Sequence, residues 1–124
     1  MSAHILIIED EASTLSMIEM MLKSRNYQVS CACNGQEGID LLENSADKID
    51  LVLLDMMMPV LDGLGFLKIW HDHPKLKSIP VVLQTGLSNQ NEIKQAKNLG
   101  IACCLSKPFS RAELYATVKD IVGS

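Results

Sequence analysis

Four groups of side chains in this sequence stand where they could act together on phosphorus. Glu9-Asp10, Asp55, Gln84-Thr85 and Ser106-Lys107 each close a short apolar run: Ile5–Ile8, Leu51–Leu54, Val81–Leu83 and Ile101–Leu105 respectively. Carboxylates held close together raise one another's pKa, and such a cluster is costly unless a cation lies among them. Hard oxygen ligands suit Mg²⁺, which keeps several waters, takes one or two carboxylates and binds phosphoryl oxygens. Lys107 adds a point charge able to hold a phosphate, and Thr85 adds a hydroxyl donor. A carboxylate in those surroundings can act as a nucleophile and become an acyl phosphate. These residue types predict a Mg²⁺-dependent site of aspartyl phosphorylation.

Such a site forms only if the fold brings the ends of separate runs to one edge. Short, fully apolar runs are buried on both faces, as in a parallel sheet covered by helices. Gln28–Cys33 alternates like a further strand and ends at Asn34-Gly35, which offers nothing reactive. Between the strands lie helical patterns at Ser13–Lys23, Gln36–Glu43, Gly65–His71, Asn91–Leu99 and Ser110–Val122. Ser13 and Ser110 are the expected N-caps, and Gly100 closes the fourth helix. Five β–α units with right-handed crossovers give an α/β fold, a doubly wound (βα)5 sandwich with helices on both faces of five parallel strands. The functional crevice of such sheets lies at the carboxyl ends of the strands, where the reactive residues fall.

The 124 residues fit one domain over 1–124, and at 48% hydrophobic they can build a core. Disorder is thereby excluded. The net charge of −4 argues against a nucleic-acid module. It is unevenly spread: residues 1–62 hold 11 acidic and 3 basic side chains, and residues 63–124 hold 4 and 8. No apolar run approaches the roughly 18 residues of a membrane span, and the start lacks signal-peptide character. Cys31, Cys33, Cys103 and Cys104 lack zinc-knuckle spacing and read as buried reduced thiols, which points to the cytoplasm. His4, His71 and His73 are scattered and read as surface residues. The first β–α turn, Glu9-Asp10-Glu11-Ala12-Ser13, would repel the pyrophosphate of a dinucleotide.

Taken together, Ile5–Glu11, the stretch Asp55-Met56-Met57-Met58-Pro59-Val60-Leu61-Asp62-Gly63, Thr85-Gly86 and Lys107-Pro108-Phe109 resemble the receiver domain of two-component response regulators, of the single-domain chemotaxis type. The resemblance runs the length of the chain, in order and at matching spacing. It implies a flavodoxin-like sandwich and a phosphorelay switch. Asp55 would be the phosphoacceptor. Glu9 and Asp10 would hold Mg²⁺, Asp10 directly and Glu9 through water, with a backbone carbonyl from Met57. Thr85 would contact the phosphoryl group, and Lys107 would pair with Asp55, followed by a cis bond to Pro108. Asp62-Gly63 reads as turn and helix-entry chemistry and Glu11 as a solvated neighbour.

The resemblance also implies partners. A histidine kinase or histidine phosphotransfer protein would supply the phosphoryl group, docking near the first helix, where Met17 or Met20 could face it. Core filling is the plainer reading of Met17, Met20 and Met21. Output would use the fourth helix, fifth strand and fifth helix, with Lys94, Lys97, Arg111 and Lys119. No direct contact with nucleic acid or membrane is expected. The domain would also catalyse its own dephosphorylation. Cys104 occupies the position where the family often has a switching aromatic ring, which puts an aromatic–threonine relay in doubt. A receiver-like interaction module without phosphorylation is the alternative. Met1 leading directly into the first strand and Val122-Gly123-Ser124 ending just after the last helix favour a free-standing protein over a receiver cut from a larger regulator or hybrid kinase.

Overall fold

A computed structural model of the chain describes residues 2–86 and 90–123. Five strands alternate with five helices: β1 (His4–Ile8), α1 (Ala12–Lys23), β2 (Gln28–Ala32), α2 (Gly35–Ser45), β3 (Leu51–Asp55), α3 (Gly63–Asp72), β4 (Val81–Thr85), α4 (Gln90–Asn98), β5 (Cys103–Ser106) and α5 (Arg111–Val122). A 3₁₀ turn at Ala46–Lys48 precedes β3. The strands are all parallel, in the order β2-β1-β3-β4-β5. This is the expected doubly wound, flavodoxin-like sandwich. Its strand order reverses beside β1, so a crevice opens between the carboxyl ends of β1 and β3.

Alternation along each strand builds two cores. Leu6, Ile8, Val52, Leu54, Val81 and Leu83 face one way, onto Ile39 and Leu42 of α2, Phe66 and Trp70 of α3 and Ala96 of α4. Ile5, Ile7, Leu51, Leu53, Val82 and Leu105 face the other, onto Ile18 and Leu22 of α1 and Leu114 and Val118 of α5. Central β1, β3 and β4 are apolar on both faces, which explains their unbroken runs. Trp70 donates its indole N–H to the Ile79 carbonyl at 2.9 Å, so its one polar atom is satisfied within the core.

Helix ends follow local chemistry. Ser110 caps α5 through a reciprocal box with Glu113, and Gly123 ends it in the left-handed region at φ 79°. Asn34 and Asp62 cap α2 and α3 by accepting from the Glu37 and Gly65 N–H groups. Ser13 is not the cap of α1. The helix begins one residue earlier, at Ala12, with Glu11 at the cap position. Glu11 there accepts from the Thr14 hydroxyl at 2.7 Å, and Ser13 lies within the first turn. The fifth strand is also shorter than its apolar run. Gly100 turns the chain at φ 97°, and pairing with β4 starts only at Cys103, opposite Val82.

Three expectations about burial are corrected. All four thiols are free, but Cys31, Cys103 and Cys104 are only half-buried and Cys33 is exposed. The reason is position: β2 and β5 are the edge strands, and Cys33 lies beyond the end of β2. Met17 and Met20 are 50% and 71% exposed and do not fill the core, whereas Met21 packs against the α1–α5 side. His4 is half-buried, its Nε2 2.7 Å from the Ser30 hydroxyl, and His73 is half-buried with its Nε2 3.6 Å from Glu43. No helix among the described residues is long and apolar enough to cross a membrane. The chain ends at Met1 and Ser124 lie outside the described residues.

Candidate functional site

Each reactive residue is placed by the strand it follows. Glu9 leaves β1 still tied to the sheet, its N–H donating to the Ala32 carbonyl at 3.0 Å. It continues the alternation of Ile5 and Ile7 and so turns toward the α1–α5 side. Asp55 is the last residue of β3 and continues Leu51 and Leu53 on that same side. Lys107 follows β5, anchored by its N–H to the Thr85 carbonyl at 2.9 Å. Because β4 lies between β5 and β3, the lysine side chain crosses β4 to reach Asp55. The Lys107–Pro108 bond is cis, as the family resemblance implies.

The turn after β3 is held by backbone contacts. The Met56 N–H donates to the Gln84 carbonyl at 3.1 Å, and the Gly63 N–H donates to the Met56 carbonyl at 2.9 Å. A Cβ on Gly63 would lie 2.8 Å from the Met56 Cα and 2.9 Å from the Asp55 carbonyl oxygen. Backbone cannot yield as a flexible side chain does. Gly63→Ala is therefore expected to lower the urea-unfolding free energy by about 1–3 kcal/mol. An unchanged midpoint and slope would show that the turn is not so confined.

The assembled site is compact. Lys107 Nζ lies 2.8 Å from Asp55 Oδ1 and 3.4 Å from Glu9 Oε1. One carboxylate oxygen from each of Glu9, Asp10 and Asp55 lies within 4.8 Å of the other two. Glu9 and Asp55 are 1% and 5% exposed, while Asp10 is exposed and opens the cluster to solvent. Thr85 is buried at the end of β4, its hydroxyl donating to the Gly86 carbonyl at 3.2 Å. Met57 projects outward, 64% exposed, and Met56 is buried. Glu11 is exposed, and its backbone N–H donates to Glu9 Oε2 at 3.2 Å.

The electrostatics follow from burial and crowding. Burial, and then the charge of Asp55, pushes the Glu9 carboxyl up to about 7, with Lys107 only partly offsetting the rise. For Lys107, burial pulls the ammonium down, but the hydrogen bond and charge of Asp55 and the charge of Glu9 outweigh it, and the pKa is raised. One ammonium thus faces two buried carboxylates with a third beside them. That excess of hard oxygen donors, close together and open on the Asp10 side, fits a divalent cation such as Mg²⁺.

The structure brings Glu9, Asp10, Asp55 and Lys107 into one cluster, with Thr85 bonded through its carbonyl to the Lys107 backbone. Cys104 packs, half-buried, against the core on the α2–α4 side, on the opposite face from Asp55. Two positions beside the site carry more than the sequence predicts. Gly63 was read only as turn chemistry, although the close approach of Met56 requires it. Gln84 was read as a strand end, yet it is fully buried inside β4, and its parity with Val82 was the available signal.

Residues 5–119 match the family model described as the response regulator receiver domain. A curated relative, the probable transcriptional regulator ycf27 of Cyanidium caldarium, is 34% identical over 119 residues, covering 96% of this chain and 46% of its own length. The chain thus spans less than half of that relative. Among solved structures, the chemotaxis protein CheY4 of Vibrio cholerae superposes with a TM-score of 0.88 at 25% identity, covering 98% of this chain and 99% of the other. The receiver domain of a sensor histidine kinase from Pseudomonas aeruginosa PAO1, with a magnesium ion coordinated in its active-site cleft, gives 0.84 at 28% identity and full coverage of both chains. Fold, strand-end chemistry and sequence agree over nearly the whole length, and the chain belongs to the receiver domains of two-component response regulators.

Proposed function

We propose that Asp55 accepts a phosphoryl group from a phosphohistidine on a histidine kinase or a histidine phosphotransfer protein. The observation that carries this reading is the single ammonium of Lys107, 2.8 Å from a buried Asp55 and shared with Glu9. In the transfer, an Asp55 oxygen bonds to phosphorus while the P–N bond breaks and its electron pair stays on the imidazole. Lys107 holds the phosphoryl oxygens as charge shifts onto them. Thr85 offers its hydroxyl to the same group. Glu9, Asp10, Asp55 and the Met57 carbonyl would hold Mg²⁺, which when bound supplies positive charge against the phosphoryl oxygens. Hydrolysis of the acyl phosphate by the same site returns the switch to its resting state.

The phosphoryl group biases two conformations, and the readout surface is the α4–β5–α5 face. Lys94, Lys97, Arg111 and Lys119 are all exposed there, which supports an acidic or mixed-charge protein target. The exposed Met17 and Met20 on α1 support docking of the phosphodonor beside the crevice. A cytoplasmic setting is part of the proposal.

The test is incubation of the protein with Mg²⁺ and a small acyl-phosphate donor, read by intact mass. The expected result is a gain of one phosphoryl group that chelation of the metal prevents. No gain would leave a receiver-like module that binds partners without phosphorylation.

A further inference from the structure

Gln84 is the one buried amide whose polar atoms are both unsatisfied among the described residues. It is 0% exposed, and neither its Oε1 nor its Nε2 has a hydrogen-bond partner. A buried amide left in that state costs stability, and a leucine or methionine there would not carry the cost. Its place in the fold gives a reason for its presence. Val82 faces the α1–α5 side and Leu83 the opposite side, so Gln84 faces the α1–α5 side with Asp55. Gln84 is also the register partner of Asp55 across β3 and β4, and adjacent strands lie only about 4.8 Å apart. The Lys107 side chain, coming from the end of β5, must cross β4 to reach Asp55. The amide therefore lies across the β3–β4 pair from the phosphoacceptor and on the same face of the sheet.

We propose that Gln84 is a catalytic residue of the dephosphorylation step, donating its Nε2–H to a carboxyl oxygen of Asp55 once that residue is phosphorylated. This rests on the reading of Asp55 as phosphoacceptor. Phosphorylation removes the carboxylate charge from Asp55 and places new charge on the phosphoryl oxygens, so Lys107 follows the charge outward. The Asp55 acyl oxygens then lose their ammonium partner, and the amide next to them gains an acceptor. In hydrolysis the water oxygen bonds to phosphorus and the P–O bond to Asp55 breaks. Its electron pair remains on Asp55 as a carboxylate, and both water protons leave with the phosphate. A donor on that carboxyl group stabilises the charge as it develops. The resting-state cost of the amide is thereby exchanged for a shorter-lived signal.

The experiment compares wild type, Gln84→Met and Gln84→Leu. Each is loaded with Mg²⁺ and an acyl-phosphate donor, freed of donor, and followed by intact mass as the phosphoryl group is lost, with thermal melts alongside. The expected result is a phosphoryl lifetime about tenfold longer in both variants, together with a raised melting temperature in the unphosphorylated protein. Lifetimes within twofold of wild type, or shorter, would overturn the proposal whatever the melts show, because a merely structural amide moves the melt and not the decay. If wild type takes up no phosphoryl group, the reading of Asp55 fails and the role of Gln84 falls with it. Uptake with unchanged decay in the variants overturns the role of Gln84 alone.

Discussion

Asp55→Asn is expected to abolish the phosphoryl mass gain outright while leaving the metal-free fold within about 1 kcal/mol of wild type. The first effect is chemical, since an amide oxygen is a poor nucleophile and cannot form an acyl phosphate. The second follows from two charge effects that oppose each other. The substitution removes the attraction between Asp55 and Lys107, but it also removes the repulsion between Asp55 and the buried Glu9. Asparagine keeps an oxygen that can accept from Lys107 Nζ, and Glu9 remains 3.4 Å from that ammonium. No buried charge is stranded, which is the usual origin of large losses at such pairs. Glu9 would ionise more readily in the variant, because the charge of Asp55 is one of the causes holding it up. Stabilisation by Mg²⁺, read as the rise in melting temperature on saturation, should shrink because one anionic ligand is gone. A variant that still gains one phosphoryl group would place the acceptor elsewhere. A variant that is unfolded at room temperature would show that the pair with Lys107 dominates the local energetics.

The site was legible in the sequence for a physical reason. In a parallel sheet covered on both faces, strands appear as unbroken apolar runs, and their last residues are forced to one rim. Asp55 after Leu51–Leu54 and Lys107 after the fifth run could therefore be assigned to one crevice although 52 positions separate them. The Ser110 cap was legible because capping chemistry is local. What was not legible depends on contacts distant in sequence. Ser13 was an equally good local cap for α1, and Glu11 displaced it because β1 delivers the chain to that point. The exposure of Cys33 and the half-burial of Cys103 depend on which strands lie at the sheet edges, and strand order is not written in any single run. The exposure of Met20 depends on which face of α1 meets the sheet, and methionine fits either. Gln84 is the clearest case. A polar residue after Val81–Leu83 looks like the end of a strand, and only the tertiary structure shows it buried and unsatisfied. Local rules fail there, beside the reacting group, where a cost in stability can serve function.

The metal-free protein is expected to lose stability as the pH rises from 5 to 8, and saturating Mg²⁺ is expected to flatten the trend. The cause is Glu9, whose carboxyl is raised from 4.5 to about 7 by burial and then by the charge of Asp55. Between those two values the native state holds a proton that the unfolded chain has released. Stability from this proton is present in full below 4.5 and is lost as the pH climbs through 7. Ionising Glu9 in the native state therefore withdraws a stabilising contribution that the acid form supplies. A divalent cation removes the slope because it binds the deprotonated carboxylate, leaving native and unfolded states with equal proton counts, so binding below pH 7 must expel the proton. Its apparent affinity should fall about tenfold for each pH unit below 7, and the melting-temperature gain from a fixed Mg²⁺ concentration should be largest near pH 8 and smallest near pH 5.5. Glu9→Gln is the control, since an amide cannot titrate, and it should flatten the metal-free curve across this window. Melts of wild type that do not vary between pH 5 and 8, or a Mg²⁺ gain that is equal at both ends, would contradict the assignment. Trp70 is a poor reporter for the titration, being buried on the α2–α4 side of the sheet, away from the face to which Glu9 and Asp55 turn. Calorimetry, which also counts the released proton through its buffer dependence, is the direct measurement.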